Sequence, residues 1–378
     1  MRILTAGESH GEYLAAIIEG FPKGVRIEQD FINHELKRRM QGIGRGKRML
    51  IEDDKIEIVS GLRNKVSLGS PITVLLRNKD VKIFTQNKDD LPLLPIPRPA
   101  HADLSGALKY KESDIRNILE RASARETVGR VCAGAICKQL LSNFKIDTAS
   151  FTVSVGEAIS SSKPRSVSDI KARVRNSRLN CIDPTAEKMM IREIEKAELN
   201  KDALGGVTEI WIDGVPVGLG TFMHFDRRLD AKLSSCLMSI PAVKGVEIGL
   251  GIDYAKKRGS VSHDEIYYSK SKGFYRGSNN SGGIEGGIST GEPIIVRAAM
   301  KPIATLRKPL ISVNILTKKK EKAIVERSDT CAIAACGVIA ENMCAIAIAE
   351  SFLDKFGSDS LNDIKVNYRN YVKNLDNL

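Results

Sequence analysis

Aromatic residues are scarce in this sequence: one Trp, eight Tyr and ten Phe make up 5% of its 378 residues. Proteins that hold single-stranded nucleic acid stack the bases on such rings along a basic groove. The net charge is +12, but the densest basic run, residues 318–322, is short, and no known nucleic-acid-binding motif is present. The sequence therefore predicts no nucleic-acid partner, and a small polyanionic ligand explains the charge equally well.

Cysteine patterns typical of disulfide frameworks or metal sites are also absent. The seven cysteines are an odd number without a CxxC pair, and most of them lie in apolar runs. This usage is typical of reduced, buried thiols in a cytosolic protein. We therefore expect neither disulfides nor a metal site.

No hydrophobic run suggests export or membrane insertion. The first ten residues, MRILTAGESH, reach Gly, Glu, Ser and His before the apolar core of a signal peptide could form. The most apolar run, residues 331–349, is interrupted by Glu341 and Asn342, so it falls short of the roughly 20 apolar residues that a membrane span requires. The sequence predicts a cytoplasmic protein in which this run is a core helix.

Repeats, low-complexity tracts and flexible linkers are missing too, so we expect one domain over residues 1–378. β-Branched alternation bounded by Gly or Pro predicts strands over residues 55–62, 71–77, 149–158, 206–219, 246–254 and 293–300. Helices are predicted over residues 29–41, 104–109, 123–142, 186–200, 228–239 and 330–352.

Two of these helices are apolar on nearly every side. Residues 127–141 and 331–349 are rich in Ala, Gly, Cys, Val and Ile, without the single apolar stripe of a surface helix. Such helices are buried all round, as they would be between two layers of sheet. The fold class predicted is therefore α+β, a layered sandwich with long buried helices between antiparallel sheets.

Two short polar segments each carry a histidine. GESHG, residues 7–11, follows a strand-like start, and its glycines allow a sharp turn that exposes Ser9 and His10. RPAHADL, residues 98–104, places His101 near the start of a helix. The alternatives are a simple turn for the first segment and a capping or packed histidine for the second.

Two further segments concentrate arginine. LKRRMQGIGRGKR, residues 36–48, runs from a helix into a glycine-rich loop that lacks the spacing of a phosphate-binding P-loop. RASARET, residues 121–127, sets two arginines around a helix N-terminus, where Ser123 and Glu126 fit a capping box. Either segment could bind a phosphate or carboxylate; a solvated surface loop and a simple cap are the alternatives.

The last group of segments combines clustered glycines with an acid. GGIEGGISTG, residues 282–291, would let a ligand or backbone approach closely, or could be a hairpin loop. KPIAT follows at residues 301–305, and Arg327 and Asp329 begin the second buried helix. Arg327 could fix an anion while Asp329 acts as a base or simply caps the helix.

Taken in order, these segments closely resemble the chorismate synthase family. The matching motifs span residues 7–343 and are GESHG, LKRRMQGIGRGKRM, RPAHADL, RASARETVGRVCAGA, SIPAVKGVEIG, GGIEGGISTGEP, KPIAT and RSDTCAIAACGVIAENM. The resemblance implies the family fold, a layer of long helices between antiparallel sheets, and a homotetramer.

The resemblance also implies a reaction. Members of the family convert 5-enolpyruvylshikimate 3-phosphate to chorismate by anti-1,4-elimination of phosphate and a ring proton, and they require reduced FMN without net redox change. A substrate with one phosphate and two carboxylates, together with the FMN phosphate, would account for a pocket rich in Arg and Lys. NADPH is a further expected ligand, as the reductant of the flavin.

Roles for individual residues follow from the same resemblance. His10 resembles the histidine that protonates the departing phosphate, His101 the one that protonates the reduced flavin, and Asp329 with Ser9 a relay that draws a proton from it. The residues expected to bind substrate or NADPH are Arg39, Arg45 and Arg48. Those expected to contact FMN are Arg121, Ala122, Ser123, Ala242, Gly286, Lys301, Pro302, Ile303, Ala304, Thr305 and Arg327.

The sequence departs from the family pattern at three positions. Ala100 stands where Gly is usual, Thr330 where Pro is common and Pro241 where Asn or Gln is common. None of the three removes a proton-transfer group. The rival hypotheses are an NAD(P)H-linked flavin oxidoreductase, for which no dinucleotide fingerprint is present, and a basic nucleic-acid-binding protein.

Overall fold

Two antiparallel sheets and several hairpins contain the strands. The computed structural model describes residues 1–46, 53–81, 92–271, 273–325 and 329–375. In chain order the strands are β1 (Arg2–Ala6), β2 (Tyr13–Glu19), β3 (Ile56–Ser60), β4 (Leu62–Arg63), β5 (Val66–Ser67), β6 (Ile72–Arg77), β7 (Asp147–Val155), β8 (Ala158–Ile159), β9 (Gly206–Asp213), β10 (Val243–Ile248), β11 (Ile266–Ser269), β12 (Gly273–Arg276), β13 (Ile284–Glu285), β14 (Ile288–Ser289), β15 (Ile294–Met300), β16 (Ile311–Val313) and β17 (Lys320–Lys322).

The first sheet has the strand order β1-β2-β6-β3 and the second the order β10-β15-β9-β7-β8. Every neighbouring pair in both sheets is antiparallel. The helices are α1 (Gln29–Met40), α2 (Asp103–Tyr110), α3 (Arg116–Ala122), α4 (Thr127–Ser142), α5 (Val167–Val174), α6 (Pro184–Leu199), α7 (Leu229–Met238), α8 (Gly259–Ser262), α9 (Ile333–Phe356) and α10 (Leu361–Leu375).

Helices α4 and α9 fill the space between the sheets. Helix α4 packs on β2 of the first sheet, α9 packs on β7 and β9 of the second, and the two helices pack on each other. Gly134 of α4 allows this close approach, because a Cβ there would lie 2.4 Å from the backbone oxygen of Asn342 in α9. The predicted α+β sandwich with buried central helices is therefore confirmed, and the small residues of these helices have a packing reason.

By length and composition, helix α9 is apolar enough to cross a bilayer. The prediction that residues 331–349 fall short of the apolar length of a membrane span was therefore wrong. The burial of α9 inside the protein instead identifies it as a core helix. In its most apolar window, 94% of the residues are buried inside the protein, and its Glu341 forms an ion pair there. The sequence-based prediction of a core helix holds on these grounds.

A four-charge cluster, formed by Glu35, Arg38, Lys138 and Glu341, joins α1, α4 and α9. Glu341 accepts hydrogen bonds from Lys138 Nζ, from Arg38 Nη1 at 3.0 Å and Nη2 at 2.9 Å, and from Ser150 Oγ at 3.1 Å. Glu35 accepts from Lys138 Nζ at 2.6 Å and from Arg38 Nη1 at 2.7 Å. Burial raises the pKa of both carboxyls, but the two cations outweigh it, so both pKa values lie below the ordinary range.

Three predicted strands extended too far, because glycines with positive φ end them. Strand β9 stops before Gly214 (φ +79°), and β10 stops before Gly249 (φ +59°), after which Gly251–Lys256 forms a 3₁₀ turn. The strand predicted over residues 149–158 turns at Gly156 (φ +54°) and becomes the hairpin of β7 and β8.

Some elements had no counterpart in the sequence analysis. Strand β2 and helices α3, α5 and α10 were not predicted. The helix expected over residues 123–142 begins as a 3₁₀ turn, Ala124–Glu126, before α4 starts at Thr127. The helix expected over residues 330–352 is α9, which starts and ends a few residues later.

Candidate active site

The loop between β1 and β2 carries Ser9 and His10. Gly7 begins this loop with φ +103°, and a Cβ there would lie 2.3 Å from the carbonyl oxygen of Tyr13, so only glycine fits the turn. Asn78, at the end of β6, closes the loop by donating from Nδ2 to the carbonyl of Gly11 at 2.7 Å. The loop is thereby held against the protein, with Ser9 buried and His10 part-exposed.

Helix α3 meets this loop through Glu120. The carbonyl of Glu120 accepts from the backbone N–H of Ser9 at 3.0 Å. Its carboxylate accepts from the backbone N–H of His10 at 2.7 Å, and its Oε1 lies 2.8 Å from His10 Nδ1. Asp80 lies on the other side of the ring, 3.9 Å from Nε2.

Ser123 follows α3 and faces the same loop. Ser9 Oγ donates to Ser123 Oγ at 3.2 Å, and Ser123 Oγ also accepts from the backbone N–H of Arg125. The predicted capping box was therefore only half right. The backbone N–H of Ser123 donates to the carbonyl of Leu119 and not to the carboxylate of Glu126. That carboxylate pairs with Arg130.

Two buried arginines lie beside this loop. Arg125 donates to Asn78 Oδ1 at 2.8 and 3.0 Å and pairs with the buried Asp54 at 2.8 Å. Arg39, at the end of α1, donates from Nε to Thr127 Oγ1 at 3.0 Å and from Nη2 to the carbonyl of Ala124 at 2.9 Å. These contacts fasten α1 to the start of α4.

The remaining nitrogen of Arg39 is unusual. Its Nη1 is buried and has no hydrogen-bond partner among the described residues. Burial lowers the pKa of Arg39 to about 10, since the attraction of Asp54 and Asp329 does not make up for burial and the repulsion of Arg125 and Arg45. A buried cation in this condition is stabilised by an incoming anion.

The glycine-rich loop after α1 folds onto the start of α9. Arg45 pairs with Asp329 at 2.8 Å, and the backbone N–H of Gly46 donates to the same carboxylate at 2.6 Å. The carbonyl of Gly44 accepts from the N–H of Thr330 at 2.7 Å. Arg45 and Asp329 thus lie close to Arg39, but among the described residues no hydrogen bond joins Asp329 to Ser9.

His101 belongs to a second cluster, at the start of α2. Its Nδ1 lies 2.5 Å from Oδ1 of the fully buried Asp103, which also accepts from Arg98 Nε at 2.8 Å. Burial raises the pKa of Asp103, but hydrogen bonds from His101 and Arg98 more than offset this effect and leave it below the ordinary range. The imidazole is held in place by the first turn of the helix.

The segment of residues 301–305 packs on this second cluster. Thr305 accepts from Arg98 Nη1 at 2.9 Å, and Lys301 Nζ donates to the carbonyl of Ala100 at 2.5 Å. The backbone N–H of Lys301 donates to the carbonyl of Ala242 at 2.9 Å. The structure therefore brings together His101, Ala242 and the run Lys301, Pro302, Ile303, Ala304 and Thr305.

The two histidine clusters sit on neighbouring helices. Gly106 of α2 packs on Ile118 of α3, and a Cβ at Gly106 would lie 2.4 Å from the Ile118 side chain. Helix α2 begins just after His101, and α3 carries Glu120 to His10. The close packing of α2 on α3 therefore fixes the position of His101 relative to His10.

Other predicted site residues lie at the edge of these clusters or outside them. Arg121 donates to the carbonyls of Thr5 and Gly7, and Ala122 ends α3. Gly286 is at the tip of the hairpin of β13 and β14, beside the start of α7. Ala242 follows the other end of α7, and the ten residues of this helix span about 15 Å. Arg48 and Arg327 lie outside the described residues.

A cleft of about 520 Å³ lies near Gly286 instead of near the histidines. It is lined by α7 and β10, and Arg228 in its wall contacts the neighbouring Gly287. None of the predicted catalytic residues lines it. We assign no chemistry to this cleft, because the titratable groups of interest are elsewhere.

Sequence reasoning missed several polar residues of the site. Glu120, Asp54 and Asn78 contact the predicted residues, but each lies in a segment without a local motif. Arg98 and Asp103 stand inside the quoted RPAHADL motif, so their pairing could have been proposed from it. Within the described parts of the chain, no group of three or more His, Cys, Asp or Glu side chains could hold a metal ion.

Comparison with known sequences connects this geometry to a family. The family model described as chorismate synthase matches residues 1–353, nearly the whole chain. The chain belongs to the chorismate synthase family. The resemblance drawn from eight motifs is thereby confirmed.

Curated chorismate synthases are similar to the chain from end to end. That of Alkaliphilus metalliredigens (strain QYMF) is 48% identical over 377 residues, which cover 98% of this chain and 99% of the relative. That of Thermoanaerobacter pseudethanolicus is 48% identical over 372 residues, 98% of each. A crystal structure of a chorismate synthase aligns with a TM-score of 0.82 at 39% identity, covering 100% of this chain and 98% of that one.

The predicted activity and enzyme class are confirmed with the family. The chain is a chorismate synthase, a lyase of the shikimate pathway that leads to the aromatic amino acids. The crystal structure of a chorismate synthase has the same fold, which agrees with the sandwich described above.

Proposed function

We propose that the residues around His10, Arg39 and His101 form the reaction centre in which phosphate is eliminated from 5-enolpyruvylshikimate 3-phosphate with the help of reduced FMN. The observation that carries this proposal is Arg39 Nη1, a buried cationic N–H without a partner among the described residues. A substrate phosphate or carboxylate would satisfy it. Arg45 and Arg125 add positive charge next to it.

Two observations support a place for reduced FMN. Gly286 has φ +58°, and a Cβ there would meet no atom within 4 Å, so its backbone is open to a ligand. Lys301 carries its ammonium group beside His101, where a flavin phosphate or ring carbonyl could accept from it. The residues that would hold the cofactor are Arg121, Ala122, Ser123, Ala242, Gly286, Lys301, Pro302, Ile303, Ala304 and Thr305. Bound by these residues, reduced FMN would supply the electron density that helps the C–O bond of the substrate to break, without net redox change.

The proton-transfer roles follow from the positions of the titratable groups. His10 turns its Nε2 away from Glu120 and is proposed to protonate the departing phosphate. His101, fixed by Asp103, is proposed to hold a proton next to the cofactor. Asp329 and Ser9 are proposed to form the relay that would draw a proton from the flavin, with Ser123 hydrogen-bonded to Ser9.

Four finer properties complete the proposal. NADPH is the proposed reductant of the flavin, and the protein is proposed to be cytoplasmic. A single domain is proposed because one core cluster includes residues of both sheets and of the helices between them. A homotetramer is proposed from the resemblance to the family, and exposed large apolar side chains such as Phe222, Met223 and Phe225 offer surface for contacts between subunits. Light scattering tests the tetramer, and a monomeric mass would overturn it.

The decisive experiment is anaerobic phosphate release from 5-enolpyruvylshikimate 3-phosphate with chemically reduced FMN, with oxidised FMN and without flavin. Chorismate and phosphate should form only with reduced FMN, and the flavin should stay reduced. Net oxidation of flavin in proportion to product would instead favour an oxidoreductase. No release by a folded protein that binds reduced FMN would refute the proposed site.

Variants locate the chemistry within the protein. His10→Ala and His101→Ala should keep the fold and lose about 10²–10⁴-fold in turnover, the range typical of a general acid or base. The matched control is His34→Ala, because His34 is an exposed residue of α1 that lies outside both histidine clusters. Equal turnover in all three variants would reject both roles.

A further inference from the structure

Glu120 has no role in the reaction described so far, although it contacts His10 more closely than any other charged group. Its side chain is only 6% exposed, in the last turns of α3. Both of its carboxylate oxygens face His10: one accepts from the backbone N–H at 2.7 Å, and the other lies 2.8 Å from Nδ1. Among the residues that the structure describes, the charged groups that face the ring are Glu120 on α3 and Asp80 after β6.

The chemistry of these contacts fixes the state of the ring. A carboxylate only accepts hydrogen bonds, so the ring nitrogen that it faces must carry the hydrogen. Nδ1 is therefore the N–H of the neutral imidazole, and Nε2 is left as the nitrogen that exchanges a proton with a ligand. When Nε2 also carries a proton, the negative charge of Glu120 stabilises the resulting imidazolium.

We propose that Glu120 is a positioning residue for His10: it fixes the ring with hydrogen on Nδ1 and directs Nε2 toward the departing phosphate. The inference rests on the proposed role of His10 as the acid. The backbone contact matters as well, because Glu120 holds both the main chain and the ring of His10. A water molecule in its place would supply neither the fixed orientation nor the charge.

Glu120→Gln tests the inference with a side chain of nearly the same shape. The amide oxygen can still accept from the backbone N–H of His10, but the amide NH₂ would then face Nδ1 and favour hydrogen on Nε2 instead. We expect kcat to fall about 10²-fold or more, because the uncharged amide no longer stabilises the imidazolium that gives its Nε2 proton to the phosphate, and its NH₂ group repels the hydrogen on Nδ1. KM should change by less than about threefold, since Glu120 does not touch the substrate.

Two comparisons separate positioning from a merely structural role. Glu120→Asp keeps the charge and should recover a large part of the lost turnover. In a His10→Ala background, Glu120→Gln should have no further effect on kcat, because the ring that it positions is gone. The matched control is Glu126→Gln, which removes a carboxylate of the same segment that pairs with Arg130 and not with His10.

A spectroscopic measurement reads the tautomer directly. The chain has five histidines, so ¹⁵N spectra of histidine-labelled protein can be assigned for His10 by loss of its signals in His10→Ala. Wild type should show hydrogen on Nδ1 of His10, and Glu120→Gln should show it on Nε2. If that variant fails to fold, the spectrum of wild type and the turnover of Glu120→Asp still test the proposal.

Several outcomes would overturn this inference. They are wild-type turnover in Glu120→Gln, equal losses in the Gln and Asp variants, a further loss in the His10→Ala background, or a wild-type spectrum with hydrogen on Nε2 and none on Nδ1. These outcomes are distinct from failure of the proposed function. If His10→Ala itself keeps full turnover, the role of His10 is wrong, whereas the tautomer measurement still reports whether Glu120 holds the ring.

Discussion

Glu341→Gln should destabilise the protein strongly, although Glu341 lies in the most apolar helix. Its carboxylate is 1% exposed and neutralises Arg38 and Lys138 together with Glu35. The amide leaves the four-charge cluster with two cations and one anion in the core. Removing one partner of a buried ion pair typically costs about 3–5 kcal/mol.

Equilibrium unfolding in urea measures this loss. With an m-value of about 3 kcal/mol/M, a loss of 3–5 kcal/mol lowers the midpoint by about 1–1.7 M. Glu341→Gln combined with Lys138→Gln restores the balance of charge in the cluster. The double variant should therefore lose less than the sum of the single changes, with a coupling of about 0.5–3 kcal/mol.

Glu350→Gln is the matched control on the same helix. Burial raises the pKa of Glu350, and among the described residues no cation forms an ion pair with it. Its neutralisation should leave stability unchanged or raise it. The reasoning would be refuted if Glu341→Gln altered the free energy of unfolding by less than about 1 kcal/mol, or if both glutamine variants lost the same amount.

Three other perturbations have definite expected results. Acid should destabilise the protein through Glu35 and Glu341, because their folded pKa values lie below the unfolded value of about 4.3. The stabilisation from these two carboxylates is complete above that pH and is lost as the pH falls below it. Urea midpoints measured from pH 7 to pH 3 would show this loss. Gly134→Ala should cost about 1–3 kcal/mol or more, because the new Cβ would lie 2.4 Å from the Asn342 carbonyl oxygen; thermal unfolding measures it. Iodoacetamide at pH 8 should leave the native protein nearly unlabelled and should label all seven cysteines after denaturation, since burial raises the pKa of Cys132 to about 12 and of Cys331 to about 11.

Each of these expectations has a control and a result that would contradict it. Glu341→Gln should show a smaller midpoint loss in acid than wild type, and an equal loss would assign the effect to other carboxyls. Gly245→Ala is the control for Gly134, since its Cβ would meet only Ala299, at 3.4 Å. Rapid native labelling of more than Cys236, which is only partly buried, would contradict the thiol prediction.

The sandwich could be predicted because its signal is local. Residues 127–141 and 331–349 are apolar around the whole helix, which requires packing on several sides, and the structure places α4 and α9 between two sheets. The order of the eight motifs along the chain then predicted the family. The ends of elements were less certain, since Gly156, Gly214 and Gly249 stop strands at positions where side-chain alternation continues.

The supporting residues of the site could not be predicted in the same way. Glu120 contacts His10 across 110 positions of sequence, and Asp54 contacts Arg125 across 71. Local patterns carry no information on such pairs. The capping box illustrates the converse, because the motif from Ser123 to Glu126 is present, but tertiary contacts supply other partners for both residues.

The position of α9 in the chain has a consequence for biosynthesis. Every described strand precedes this helix, which begins at Ile333 and separates the two sheets. At a ribosomal rate of about 5–20 residues per second, roughly 10–40 s pass between completion of α4 and completion of α9. During that interval α4, and then β7 and β9 as they are made, lack the partner that α9 supplies, so the growing chain exposes apolar area. Completion of the core therefore waits for α9, and the nascent chain is most prone to aggregation before this helix emerges.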